Sequence, residues 1–153
     1  SATGSRCQFN IHISSYVSSI LEVRDENDYS KSFTPQQINK QADQSKVRTM
    51  DKSLEKEMIN IISKAKNNGD SVGGSFKIHI SGVPYGLGSY TTWDSKLNAR
   101  LGEAFLSING IKSFDVGLGC ESEKNMGASY TMKLVMIINS SDIAIIVEVL
   151  KEA

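Results

Sequence analysis

The sequence predicts an α/β domain of the α+β type, with helices packed on an antiparallel or mixed sheet. Three observations carry this. "MDKSLEKEMINIISKAKNNGD" places Leu54, Met58, Ile61, Ile62 and Ala65 at helical spacing, and "WDSKLNARLGEAFLSI" does the same with Leu97, Leu101, Ala104, Phe105 and Ile108. "QFNIHIS" and "SFKIHIS" alternate apolar and polar residues, the period of a half-buried strand. The 153 residues, 39% of them hydrophobic, suffice for one compact domain over 1–153.

Taken in order, "QFNIHISSYVSSILEV" reads as one long strand, or as two with a bulge near Ser14–Ser15. "RDENDYSKSFTPQQINKQADQSKV" is polar and is expected to run over the surface, with a short helix from Pro35 after Thr34. The helix that follows has Asp51 as its N-cap, lysines toward its C-terminus, and Asn67, Asn68 and Gly69 as a left-handed stop. "SVGGSFKIHISGV" is a strand with Phe76, Ile78 and Ile80 on one face and Lys77 and His79 on the other. "PYGLGSY" is a loop. The second amphipathic helix takes Asp94 as its cap. "SFDVGLG" and "YTMKLVMII" read as strands. "SSDIAIIVEVLKEA" reads as a closing helix capped by Ser140 or Ser141, with Ile143, Ile146, Val147 and Leu150 inward.

Composition narrows the function classes. Lys+Arg and Asp+Glu are both 17, so the formal net charge is zero and no basic patch points to nucleic acid. No apolar run is long enough for a membrane span, and no signal peptide is evident. Cys7 and Cys120 lack metal-ligand spacing, so no metal site is expected; they read as reduced thiols of a cytoplasmic protein. His12 and His79, in alternating runs, read as strand residues.

"GDSVGG" at Gly69–Gly74 looks like a phosphate-cradling loop, but such loops lead from a strand into a helix. Here the order is reversed. Gly69 therefore reads as the helix stop, and Gly73 and Gly74 as a bulge or a close backbone approach at the start of a strand.

"GDSVGG", "GVPYGLGSY" and "WDSKLNARLGEAFLSINGIKSFDVGLG" resemble, in that order and without a gap from about Val47 to Gly119, the central part of chorismate synthases. The resemblance implies a β-α-β sandwich, here in part. It also implies a lyase of the shikimate pathway of aromatic amino acid biosynthesis. Such a flavoprotein removes phosphate from 5-enolpyruvylshikimate 3-phosphate by 1,4-elimination to give chorismate. It would use reduced FMN without net redox change, work as a homotetramer, and draw on a flavin reductase. Asn109 and Gly110 stand at the last two positions of the family's flavin-contacting S-I-N-A motif, with glycine for alanine; the same pair also reads as a helix stop. Ser1 matches the start of a family serine segment at the flavin, and the opening "SATGSR" reads equally as a cloning remnant. Asp142 matches an aspartate implicated in proton removal, although Ser140 stands where the family has arginine; it also reads as a first-turn acid. Lys133 is a fainter match to an M-K-P segment.

Other family motifs do not occur: the N-terminal S-G-E-S-H-G, the arginine-rich loop, the second catalytic histidine and the N-N-x-G-G segment. The chain is therefore expected to be either a shortened, non-catalytic flavin-binding or assembly domain, or a set of family segments joined near Cys7–Gln8 and Ile145–Ile146.

Overall fold

The computed structural model describes residues 11–83 and 88–116, and the backbone of 143–149. Within these residues a five-stranded sheet runs in the order β2-β1-β3-β5-β4, and every neighbouring pair is antiparallel. The strands are β1 (His12–Ile20), β2 (Val23–Arg24), β3 (Gly74–Ser81), β4 (Ile111–Val116) and β5 (Ile143–Val149). The helices are α1 (Pro35–Ala42), α2 (Lys52–Asn67) and α3 (Leu97–Leu106).

β1 and β2 form a hairpin, with the bulge at Val17–Ser19 rather than at Ser14–Ser15. The register then fixes which side chains share a face. Tyr16 lies opposite Lys77, and Ser15 opposite Ile78. Neighbouring residues of a strand point to opposite faces, so Tyr16 and Ile78 serve two different cores. Tyr16 packs with Ile38 and Ala42 of α1 and with Met50, flanked by Tyr29 and Phe33. Ile78 packs with Phe76, Ile80, Leu101, Phe105, Ile111 and Phe114. α1 thus covers one face of the sheet and α3 the other.

The polar segment 24–47 runs largely over the surface, as its composition suggests, but it is anchored from within: Ile38 and Ala42 are completely buried and Asp25 nearly so. The helix itself begins where expected. Thr34 Oγ1 accepts from Gln37 N–H, Gln37 Oε1 accepts from Thr34 N–H at 2.9 Å, and Pro35 opens the first turn.

α2 also matches its sequence signals. Asp51 Oδ1 accepts from Ser53 N–H at 2.7 Å. At the far end Gly69 has φ +71°, Gly69 N–H donates to Lys66 O, and Asp70 N–H donates to Ala65 O. These two bonds are the Schellman closure. Met58 is fully buried, while Leu54, Ile61, Ile62 and Ala65 are half-buried.

Two elements depart from expectation. "IAIIVEV" is strand β5, not a helix, and it pairs with β3 on one side and β4 on the other. Its run of β-branched residues suits a strand paired on both sides. Its register passes unbroken across Ile145–Ile146, where a junction was expected. α3 begins at Leu97, not just after Asp94. Ser89 N–H donates to Ser95 O, and Ser95 Oγ donates to Thr92 O. These bonds tie residues 89–95 into turns, and Asp94 belongs to them: the Thr92 hydroxyl bond holds its carboxyl below the usual range. On α3, Leu101 and Phe105 face the sheet, whereas Ala104 and Ile108, expected inward, are exposed. The strand expected over "YTMKLVMII", the caps Ser140 and Ser141, and the junction near Cys7 lie outside the described residues.

Candidate functional site

α3 packs on β4 through Phe105 and Phe114, whose rings stack at 5.4 Å. The chain must reverse between these elements, and Asn109 and Gly110 make the turn. Ile111 N–H donates to Ile108 O at 3.2 Å, and Gly110 has φ +91° while Asn109 keeps a negative φ. That is a type II turn, whose second central position calls for glycine. The pair is not the helix stop expected of it, because α3 already ends at Leu106 with Ser107 as its C-cap; Asn109 and Gly110 turn the chain from there into β4. The turn is structural, and it also leaves the Asn109 side chain exposed and the space over Gly110 open, with no atom of the described residues within 4 Å of a Cβ placed there.

The other positions expected at the site, Ser1, Asp142 and Lys133, lie outside the described residues. The structure therefore brings together Asn109 and Gly110 alone. The "GDSVGG" glycines have the structural roles their order implies. Gly69 stops α2. Gly74 lets β3 approach β1 so closely that a Cβ would meet Ser19 O at 2.6 Å. Neither histidine forms part of the turn. His12 Nδ1 lies 3.1 Å from Gln36 Nε2, and His79 is buried on the α1 side of β3. Among the described residues no group of three potential ligands could hold a metal ion.

One open groove of about 460 Å³ is lined by Phe33, Gln37, Lys40, Gln41, Gln44 and Lys52. It belongs to the α1 side of the sheet, whereas Asn109 and Gly110 follow α3 on the other. The neighbouring N-terminus of α2 already has an anion in the Asp51 carboxylate.

A polar cluster that sequence reasoning missed lies where β2 leads toward α1. Asp25 is only 4% exposed. Its Oδ1 accepts from Asn27 N–H and Nδ2, and its Oδ2 accepts from Tyr29 OH at 2.8 Å. Tyr16 OH donates to Asn27 O, and its ring meets that of Tyr29 edge to face at 5.3 Å. Burial is the main cause that pushes the Tyr16 phenol well above the usual tyrosine range. Burial, then the bond to Asp25, pushes Tyr29 up to about 12. Burial opposes ionisation of Asp28 too, but its Ser30 bonds and Lys31 outweigh it and hold that carboxyl below the usual range.

The sign for the tyrosines follows from the direction. A phenol that stays protonated in the fold but ionises in the unfolded chain stabilises fully below the unfolded value. That stability is lost as pH rises through the folded value. We expect stability to fall from about pH 10 upward. Phenolate absorbance should show a late class of tyrosines that ionise only as the near-ultraviolet circular dichroism collapses. A single early phenolate transition preceding any loss of structure would contradict the cluster.

These sites can be set beside known proteins. The family model described as chorismate synthase matches residues 5–144. The chain belongs to the chorismate synthase family. A chorismate synthase of Alkaliphilus metalliredigens is 49% identical over 89 residues, covering 58% of this chain and 23% of its own length. That of Shouchella clausii is 36% identical over 119 residues, covering 77% and 30%. A chorismate synthase crystal structure superposes with TM-score 0.76 at 26% identity, over 91% of this chain and 49% of that one. The chain thus shares the chorismate synthase fold while spanning less than a third of these two relatives and about half of the solved chain. Among the described residues, no helix is long and apolar enough to cross a membrane.

Proposed function

We propose that this chain supplies part of a chorismate synthase, the lyase that removes phosphate from 5-enolpyruvylshikimate 3-phosphate by 1,4-elimination to give chorismate. The observation that carries the proposal is the family match over residues 5–144, which contains the continuous motif series from Val47 to Gly119. Reduced FMN is the implied cofactor; when bound, it lends electron density as phosphate leaves and helps to take the proton, with no net redox change.

The Asn109–Gly110 turn fits a flavin. The exposed Asn109 amide offers both a donor and an acceptor, and open space over Gly110 lets a flat ring approach the backbone. Asn109 and Gly110 would hold the flavin, with Ser1 beside it. Asp142 would help to remove the proton. The chain is read as one domain over 1–153, cytoplasmic, in a homotetramer, with a flavin reductase as the source of reduced cofactor.

A second reading is a flavin-binding or assembly domain without turnover. It is favoured by the settings of His12, against Gln36, and His79, buried on a strand, neither of which faces the Asn109 turn. The test is chorismate formation from the phosphorylated substrate with reduced FMN under anaerobic conditions, together with FMN titration of the chain and of Asn109→Asp. Turnover, with FMN affinity reduced about tenfold or more by the substitution, supports the lyase; the range is that of a hydrogen bond to a charged or polar group. Binding with the same loss but no turnover selects the second reading. No turnover and no binding overturns both.

A further inference from the structure

A strand at the edge of a sheet carries a row of backbone donors and acceptors with which another chain can pair. Among the described residues β1 is such an edge from His12 to Ser18, because β2 pairs only with Ser19 and Ile20. Its outward groups are nevertheless occupied, and by side chains as much as by backbone. Asn39 Nδ2 donates to Ile13 O at 2.9 Å, and Ser15 N–H donates to Asn39 Oδ1 at 3.2 Å. Arg48 Nη2 donates to Ser15 O at 3.0 Å, and Val17 N–H donates to Arg48 O at 2.9 Å. Asp25 N–H then donates to Ser18 O at 2.8 Å, where the hairpin takes over.

The amide of Asn39 has the donor and acceptor of a peptide group and stands where a neighbouring strand's peptide would stand. Arg48 is held at φ +57°, an unfavourable conformation for a residue with a Cβ. Its carbonyl and its guanidinium both reach the same edge, and the guanidinium is fixed from outside by Asp43.

We propose that Asn39 and Arg48 form a surrogate strand that closes the β1 edge against a second copy of this chain. The edge it shields is suited to self-pairing. An antiparallel pair centred on Ser15 would set Ile13 of one copy opposite Val17 of the other, a β-branched cross-strand pair. Ile13 is already 60% exposed. No Asp, Glu, Lys or Arg lies between His12 and Ser18 to oppose the pairing.

The test is Asn39→Ala, followed by amide exchange and by sedimentation over a concentration series. The Ser15 amide should exchange at least about tenfold faster than in the parent chain, the size of effect expected when one hydrogen bond is lost. Association beyond the parent's own size should appear with rising concentration, and adding Ile13→Lys should return the size to the parent's by placing a charge on the open edge. A folded Asn39→Ala chain with the parent's sedimentation and Ser15 protection would overturn the proposal. If that variant does not fold, Arg48→Gly decides. Glycine keeps the left-handed backbone and the bond to Val17 but deletes the guanidinium, so concentration-dependent association supports the proposal and unchanged size overturns it.

Discussion

Ile38→Ala should lower the free energy of unfolding by about 3 kcal/mol, the middle of the range for emptying a buried isoleucine site. Ile38 is completely buried, and its neighbours Tyr16, Ala42 and Met50 come from three separate segments that collapse cannot easily bring closer. α1 has only eight residues, too few to persist alone. Its capping box fixes where the helix starts, but burial of this one side chain does most to hold it against the sheet. The substitution should therefore release α1 along with its contacts. Urea unfolding of the two chains would measure the effect, read as a lower midpoint at similar slope. A change below about 1 kcal/mol would mean that α1 is held by its polar bonds instead, since net hydrogen-bond contributions are of that size.

Gly74→Ala should cost about 2 kcal/mol, within the range for overpacking. The Cβ would sit 2.6 Å from Ser19 O, a backbone atom of the paired strand. No rotamer change relieves that contact. Either β3 withdraws from β1 or the hairpin beyond the Val17–Ser19 bulge shifts. Gly110→Ala is the useful contrast. Nothing lies near its Cβ, so its cost of about 1 kcal/mol comes from φ +91° alone. Equal losses for the two would show that the Gly74 contact relaxes easily. A larger loss at Gly74, with weakened exchange protection confined at first to β1 and β3, would show that the close approach is needed for pairing. Gly74 thus answers what "GDSVGG" is for: Gly69 ends a helix and Gly74 admits a neighbour.

The elements that could be read from the sequence are those whose signals are local. Asp51, the stripe through Met58 and Gly69 specify α2 within one window. Thr34, Pro35 and Gln37 specify the start of α1. Its burial could not be read, because a short polar helix contributes only Ile38 and Ala42 to the core and the rest of that core comes from Tyr16 and Met50. β5 reads as a helix for a related reason. Ile143, Ile146, Val147 and Leu150 fit a helical stripe, but Ile145 and Val149 fill the gaps between them, and a continuous apolar run is compatible with either state. Pairing with β3 and β4 decided it, and those partners are remote in the sequence. Asp94 carried a capping signal that nearby hydroxyls captured first. Of the candidate site, the Asn109–Gly110 turn was evident because turn chemistry is local, whereas the Asp25–Tyr29 cluster lay in a stretch whose composition resembles solvent-exposed chain.

The strand order has a consequence for how the chain assembles in time. β3 and β4 share a core but do not pair with each other; β5, the last described element, lies between them and supplies the pairing for both. The β1–β3 pair with α1 can form as soon as Ser81 has been made. β4 has no sheet to join until β5 arrives, so Ile111 and Phe114 can meet α3 before they meet β5. Completion of the second core is then a late, long-range step, of the kind that sets slow folding rates and leaves apolar surface open while it waits.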